Sequence, residues 1–537
     1  MKISRKIFIA LFAIIFCLGI FLRFYQLGNI PNSLDWDEAS FGYNAYSLLQ
    51  TGKDEYGETY PLTFKAFGDY KQPVYMYMDV ISIALFGPNA FAVRFPSALF
   101  GSLSLIFVFL FTRELFKKLK YANEFALLSM FFFAISPWSI QFSRGAFEAN
   151  VSLFLVISGA WLFLRGLALK KQWYFVVSVI ILSLSTYTYI SQKVVVPFIF
   201  AALVVYGFSY LKKKKVFISV LILGFIVLNS LWLFNTNSVA RGQGVFFANQ
   251  QTQLLEEPIR QMQIDQNNND QLGQLLHNRR VVYAQTLISN YLSHFNPLWL
   301  YMHGDEVKRH HAPGFGLMYL ATLPLLLLGI YYLLSKHFSV AWPLFVWFLV
   351  APLASALTFE APHSLRSLVF LPTWHIFEAA GVLFLIQMIK RRWLINGVLA
   401  LFAFLLLINF VYYFHQYFTH TNTDHQKDWQ YGYKEAIEAI PAGENQVIFS
   451  KNFEQPYIFY LFYTKYDPQK YLNTNGSSRI TEKCHSIDNV YFGDCLSQLE
   501  QGDIYITAGE ENVSNGKRIK QFNYANGQPA TAIYKYE

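Results

Sequence analysis

Eleven apolar stretches, with basic residues clustered at alternate ends, constrain this chain more than any other feature. Crossing a bilayer takes about 20 mostly apolar residues. The first run, Ile7 to Leu27, follows Lys2, Arg5 and Lys6. No small-x-small cleavage pattern comes after it, so it reads as an uncleaved span. Further runs lie at about 91–112, 125–141, 150–168, 173–190, 194–210, 216–234, 315–334, 340–357, 367–388 and 393–413. Alternate connections carry Arg113, Lys117, Lys118 and Lys120; Arg165, Lys170 and Lys171; Lys212 to Lys215; Lys336; and Lys390, Arg391 and Arg392. Basic residues collect on the cytoplasmic side of a membrane protein. This pattern therefore predicts an N-terminus inside and, with an odd number of spans, a C-terminus outside. The composition agrees, with 54% hydrophobic and 14% charged residues against about 45–50% and 25% in soluble domains. The formal charge of +9 is then a topology signal and not a nucleic-acid footprint, and no nucleic-acid partner is expected.

The outer segments have a different character. They cover about 28–90, 142–149, 235–314 and 358–367, and are rich in Asp, Glu, His, Tyr and Asn. From 415 to 537 the chain becomes an ordinary mixed sequence. A helical pattern near Asp428–Ile440 precedes a short apolar run at Gln446–Phe449, then a helical stretch near Gln455–Tyr463. That alternation predicts a small α/β domain, with loops near 473–478. The expected fold is a polytopic α-helical membrane protein of about eleven spans. Residues 1–414 would form a catalytic transmembrane domain and 415–537 an extracytoplasmic α/β domain, in a multi-pass protein of the plasma membrane. Cys17 lies in an apolar run, which leaves Cys484 and Cys495 as the pair available for a disulfide.

Transporters carry ionisable groups inside their spans. Here most such residues sit at the outer ends, which favours a site at the outer membrane face. The first outer loop holds Asp35, Asp37 and Glu38 within four positions. Asp37 would project from a helix N-terminus, where a carboxylate is favoured, and can serve as a general base. Phe67-Gly68-Asp69-Tyr70-Lys71-Gln72-Pro73 follows, placing Lys71 among aromatics where an ammonium can meet a lipid phosphate. Arg144 and Glu148 are four apart, the spacing that stacks two residues on one helix face. Lys193, Arg309 and Arg366 are further candidates for phosphate contact. His303, Asp305, His310 and His363 are the imidazole and carboxylate groups suited to a divalent metal, the one cofactor left open. The length of the 235–314 loop suggests a lid, with a Gln- and Asn-rich segment at Gln261–Gln274 and an amphipathic interfacial helix near Val281–Leu292.

The Asp37-Glu38 pair after the first span, and the aromatic-flanked Lys71-x-Pro73, resemble the GT-C superfamily of membrane glycosyltransferases. The protein O-mannosyltransferase and aminoarabinose transferase branch is the one resembled, best over residues 1–200. The resemblance implies an inverting transfer of a hexosyl or pentosyl group from a polyprenyl-phosphate carrier to a protein, glycan or lipid acceptor. It maps the presumed base to Asp37, with Glu38 as its motif neighbour, and the phosphate contact to Lys71. In the aminoarabinose branch an acid directly precedes that Lys. Here Tyr70 does, and Asp69 is one step back, which leaves both as supporting residues. Related enzymes place an acid five residues after an Arg, whereas Glu148 is four after Arg144. Two competing readings are a lipid-linked-sugar flippase or transporter and a non-enzymatic membrane scaffold.

Overall fold

The computed structural model describes residues 4–234, 246, 251–441, 443, 445–481, 483–511 and 513–537. Each of the eleven apolar runs contains a helix. Arg5–Phe24, Ala90–Leu115, Glu148–Leu169, Phe338–Ala356, Leu368–Met388 and Arg392–Asp424 are long and apolar enough to cross a membrane. Gln172–Thr186, Gln192–Tyr206, Lys215–Ser230 and Leu320–Lys336 are apolar but shorter. The run at 125–141 is not one continuous helix as expected. It breaks into Ala122–Ile135 and Pro137–Arg144, bent by 56°. Pro137 has no N–H to continue the first helix, and Ser136 caps the second through Ser139 N.

The elements around the first loop are α1 (Arg5–Phe24), α2 (Trp36–Thr51), β1 (Phe64–Ala66), β2 (Asp69–Lys71), α3 (Pro73–Phe86), α4 (Ala90–Leu115), α5 (Ala122–Ile135), α6 (Pro137–Arg144) and α7 (Glu148–Leu169). α1 begins at the Ser4 cap and carries in its last turn Arg23, which is fully buried. Its guanidinium donates to the carbonyls of Gly19 and Ala134 and to Ser139 Oγ at 2.6 Å, which ties α1 to α5 and α6. α3 is an apolar helix inside the segment 28–90, expected to be a loop, with Pro73 at its first turn. Elsewhere, helices Leu323–Lys336 and Leu371–Met388 meet backbone to backbone. A Cβ added at Gly329 or Gly381 would strike the carbonyl of Phe377 or Leu325. Small residues at such a crossing let membrane helices pack closely.

The described part of the 235–314 segment includes the helices Gln251–Asn267, Gln271–Leu276 and Arg279–Ser293. The Gln-rich stretch is therefore largely helix, and the expected amphipathic helix is present. The part of the lid expectation at 235–245 and 247–250 lies outside the described residues. The C-terminal part builds a six-stranded sheet from β3 (Val447–Phe449), β4 (Cys484–Ile487), β5 (Val490–Gly493), β6 (Ile504–Ala508), β7 (Gly516–Asn523) and β8 (Pro529–Tyr536). Its order is β4-β5-β3-β6-β8-β7, with β3 parallel to both neighbours and the other pairs antiparallel. Cys484 and Cys495 are bonded. The sheet domain shares one apolar core with the first loop, where Phe41, Tyr43 and Tyr75 join Phe449, Phe459 and Phe462. That common core fixes α2 between the helical bundle and the sheet.

Candidate active site

Local sequence sets the N-terminus of α2. Asp35 Oδ1 accepts from Glu38 N at 2.8 Å, and Glu38 Oε2 accepts from Asp35 N at 3.3 Å. This reciprocal pair is a capping box. It turns the side chains of Asp35 and Glu38 inward and leaves Asp37 outside it. The side chains of Asp35, Asp37 and Glu38 are 6%, 35% and 3% exposed. Of the three carboxylates, Asp37 alone is accessible.

Asp37 Oδ1 lies 2.9 Å from Lys71 Nζ. Lys71 is delivered by the β1–β2 hairpin, in register Phe64↔Lys71 and Ala66↔Asp69. The two-residue turn Phe67-Gly68 has φ of 54° and 79°, the positive pair that tight hairpins require. Alternation along β2 puts Asp69 and Lys71 on one face and Tyr70 on the other. The hairpin escaped the sequence reading, although its Phe-Gly turn is visible there.

Glu38, expected beside Asp37 in catalysis, has a different place. Arg94 Nε and Nη2 donate to its two oxygens, each at 2.8 Å, and Ala146 N donates to Oε1 at 2.9 Å. Its lone pairs are taken by protein donors. Arg94 also binds the carbonyls of Leu27, Pro31 and Ser33, fixing the link from α1 to α2. Sequence reading passed over Arg94, although an Arg near the start of an apolar helix is signal enough. Arg144 does similar work, donating to the carbonyls of Leu22, Arg23 and Ile30 and stacking on Phe418 at 4.7 Å. The expected helical step from Arg144 to Glu148 does not exist. α6 ends at Arg144 and α7 begins at Glu148, with the chain breaking at Gly145.

Arg309 Nε lies 3.2 Å from Asp35 Oδ2, and its guanidinium sits 5.2 Å from the Trp36 ring centroid. Its Nη1 donates to Asp428 O, and Gln430 Oε1 accepts from Trp36 N. The segment 428–430, unforeseen in the sequence, thus completes one wall. Burial pushes the Asp35 pKa up, against the opposing pull of Arg309.

Next to Arg309, Asp305, His310 and His363 gather with ligand atoms within 4.8 Å. His303 is exposed and outside this group. Asp305 accepts from Trp299 Nε1 at 2.8 Å, Ser364 N, Ser364 Oγ at 2.6 Å and His310 Nδ1 at 2.7 Å. Burial favours its neutral form, but these hydrogen bonds outweigh that and hold its pKa well below the carboxylate range. Burial pushes His310 and His363 down. His363 Nδ1 faces Arg366 N at 3.4 Å. With Asp305 saturated by protein donors, the set fits a carboxylate orienting His310 better than a three-ligand cation site. Arg366 binds Thr358 Oγ1 and Glu360 Oε2 at 2.7 Å. Lys193 lies in the first turn of the helix Gln192–Tyr206, half-buried with its Nζ covered. The structure therefore joins Lys71, Asp37, Asp35 and Arg309 in one site, with the Asp305 group behind it.

Residues 70–233 match the family model described as dolichyl-phosphate-mannose-protein mannosyltransferase. No curated protein matches the chain in sequence. ArnT from Cupriavidus metallidurans, bound to undecaprenyl phosphate, superposes with a TM-score of 0.56 at 10% identity, covering 99% of this chain and 98% of that one. The chain shares the fold of ArnT. The apo form of ArnT gives a TM-score of 0.55 at 9% identity, over 98% and 97% of the two chains. The archaeal oligosaccharyltransferase AglB from Archaeoglobus fulgidus gives 0.49 at 14% identity, covering 85% of this chain. The chain spans 63% of AglB's length. In this chain the family match starts at Tyr70, one residue before Lys71, and takes in Arg94 and Arg144. Asp35 to Glu38 lie ahead of it.

Proposed function

We propose that this protein is an inverting glycosyltransferase at the extracytoplasmic face of the plasma membrane. It moves a sugar from a polyprenyl-phosphate carrier to a hydroxyl of a protein, glycan or lipid. The observation that carries this reading is the accessible Asp37 carboxylate held 2.9 Å from Lys71 Nζ, between two carboxylates that the fold has buried. The bound undecaprenyl phosphate of ArnT supports the choice of carrier, and the basic segments at the far ends of the helices support the choice of side.

In the proposed step the acceptor oxygen attacks the anomeric carbon while Asp37 takes its proton. The new C–O bond forms as the bond to the carrier phosphate breaks, so one displacement inverts the centre. Charge developing on the departing phosphate is met by Lys71, with Arg309 beside it. Preorganised cations at developing charge are usually the largest catalytic contribution. Glu38 and Arg94 hold α2 so that Asp37 faces the acceptor, and Asp35 fixes Arg309 over Trp36. No step is assigned to a metal at the Asp305 group, because its carboxylate is already saturated.

A carrier-transport reading draws on one observation. His375 and Glu378 form a buried 2.7 Å pair inside the helix Leu371–Met388, the kind of intramembrane pair that transporters use. Mass analysis of lipid-linked sugars and surface glycans after loss of the protein tests the enzyme reading. The enzyme reading expects a lipid-linked sugar to accumulate and one glycan modification to vanish. Unchanged glycans together with an unchanged carrier pool would refute it.

A further inference from the structure

On the membrane face opposite the candidate site, three concave features meet. α4 runs from Arg94, at the site, to Arg113, about 28 Å further along its axis. There a polar pocket of about 420 Å³ is lined by Arg113, Lys117, Lys120, Asn123 and Glu124. Arg113, Lys117 and Lys120 are exposed. Lys117 is paired with Glu114 at 3.0 Å, and Lys120 lies over the Tyr121 ring. With Glu124 counted, the pocket keeps a net positive charge.

Two apolar clefts open from this pocket on either side of α1. One of about 300 Å³ shares Arg113 and Asn123 and is walled by Phe8, Phe12 and Phe109. The other, about 920 Å³, shares Glu124 and runs between α1, α5 and the helices Leu371–Met388 and Arg392–His415. Along α5 it extends from Glu124 to Ile135, and along the last helix from Leu399 to Phe410. Each covers eleven residue-to-residue steps, or about 16 Å of helix, half of a hydrocarbon core about 30 Å thick. An acyl chain of a single leaflet matches that length.

We propose that this is a binding site for an anionic glycerophospholipid of the leaflet opposite the candidate site. The headgroup phosphate sits among Arg113, Lys117 and Lys120, and the two acyl chains straddle α1. A basic pocket between transmembrane helices is suited to an anionic headgroup, and the apolar clefts distinguish this place from an ordinary basic loop. The lipid would brace α1, whose other end, at Arg23, is bound to α5 and α6.

The test uses the full chain in phosphatidylcholine vesicles with and without phosphatidylglycerol, read by thermal unfolding and by phospholipid retained on the purified protein. Phosphatidylglycerol is expected to raise the melting temperature and to co-purify. R113A/K117A/K120A should weaken retention roughly fivefold per cation removed. L128W/L399W, which fills the larger cleft and keeps the charges, should also reduce retention. The equally basic segment 212–215 is the control, and K212A/K213A/K214A/K215A should retain the lipid as the parent does. Equal loss in the control, full retention in either site variant, or the same stabilisation by free glycerol 3-phosphate in phosphatidylcholine vesicles would overturn the proposal.

Discussion

Glu38→Gln separates positioning from chemistry. The substitution keeps the shape of the side chain but removes the negative charge facing Arg94, which is fully buried. Two charge-assisted hydrogen bonds at 2.8 Å are lost or weakened, and the amide turns an N–H toward a donor. Removing one partner of a buried ion pair costs about 3–5 kcal/mol. Arg94 would still hold the carbonyls of Leu27, Pro31 and Ser33, so the lower end, about 3 kcal/mol, is the better figure. At roughly 2–4 °C per kcal/mol for a large domain, the melting temperature should fall on the order of 6–12 °C. Asp37→Asn lies one residue away but at the accessible end of the helix, and should leave the melting temperature nearly unchanged while transfer is lost. Thermal unfolding of both variants in one detergent provides the assay. If Glu38→Gln melted with the parent, or Asp37→Asn fell as far as Glu38→Gln, the division of labour in the capping box would be wrong.

Three further outcomes follow from the site and its supports. Lys71→Met should lower kcat by about 10²–10³, the loss expected when one charge-stabilising donor is removed, with little change in melting temperature; a change confined to KM would contradict its role at the leaving phosphate. Glu55 is buried between Asn44 and Ser477 and joins the first loop to the sheet domain; burial raises its pKa to about 7. Its folded form therefore holds the proton more tightly, so stability should fall by up to about 3 kcal/mol as pH rises from about 4.3 to 7. Glu55→Gln should remove that slope, and an unchanged pH profile of melting would count against the assignment. Prolonged treatment with a chelator should leave melting temperature and transfer unchanged, since Asp305 is saturated by protein donors; a loss that zinc restores would show that the Asp305 group holds a metal.

Much of the helical layout was legible because apolar length and flanking charge are local properties. The helix N-terminus at Asp37 was legible too. Which of the three carboxylates remains accessible was not, because the answer depends on Arg94, 56 residues beyond Glu38, and on Ala146. Lys71 was marked by its aromatic neighbours, but its contact with Asp37 needs the hairpin that turns at Phe67-Gly68. Arg144 and Glu148 misled, since four-residue spacing implies one face only when the helix is continuous, and Gly145 interrupts it. The helix Pro73–Phe86 was hidden inside a segment assigned as loop, and His375 and Glu378 were hidden inside an apolar run. The sheet order places β3 between β5 and β6, partners far ahead in sequence, so no local pattern reveals it. The wall formed by Asp428, Trp429 and Gln430 is equally non-local.

The central claim is that Asp37 acts as the base in transfer from a polyprenyl-phosphate carrier. Its most direct test is release of polyprenyl phosphate by purified protein given a polyprenyl-phosphate sugar and an acceptor extract, with the parent and Asp37→Asn compared side by side. The parent should release the phosphate in step with glycosylated acceptor, while Asp37→Asn binds the carrier and releases on the order of 10²–10⁴ times less. No release by the parent, or equal release by Asp37→Asn, would contradict the account.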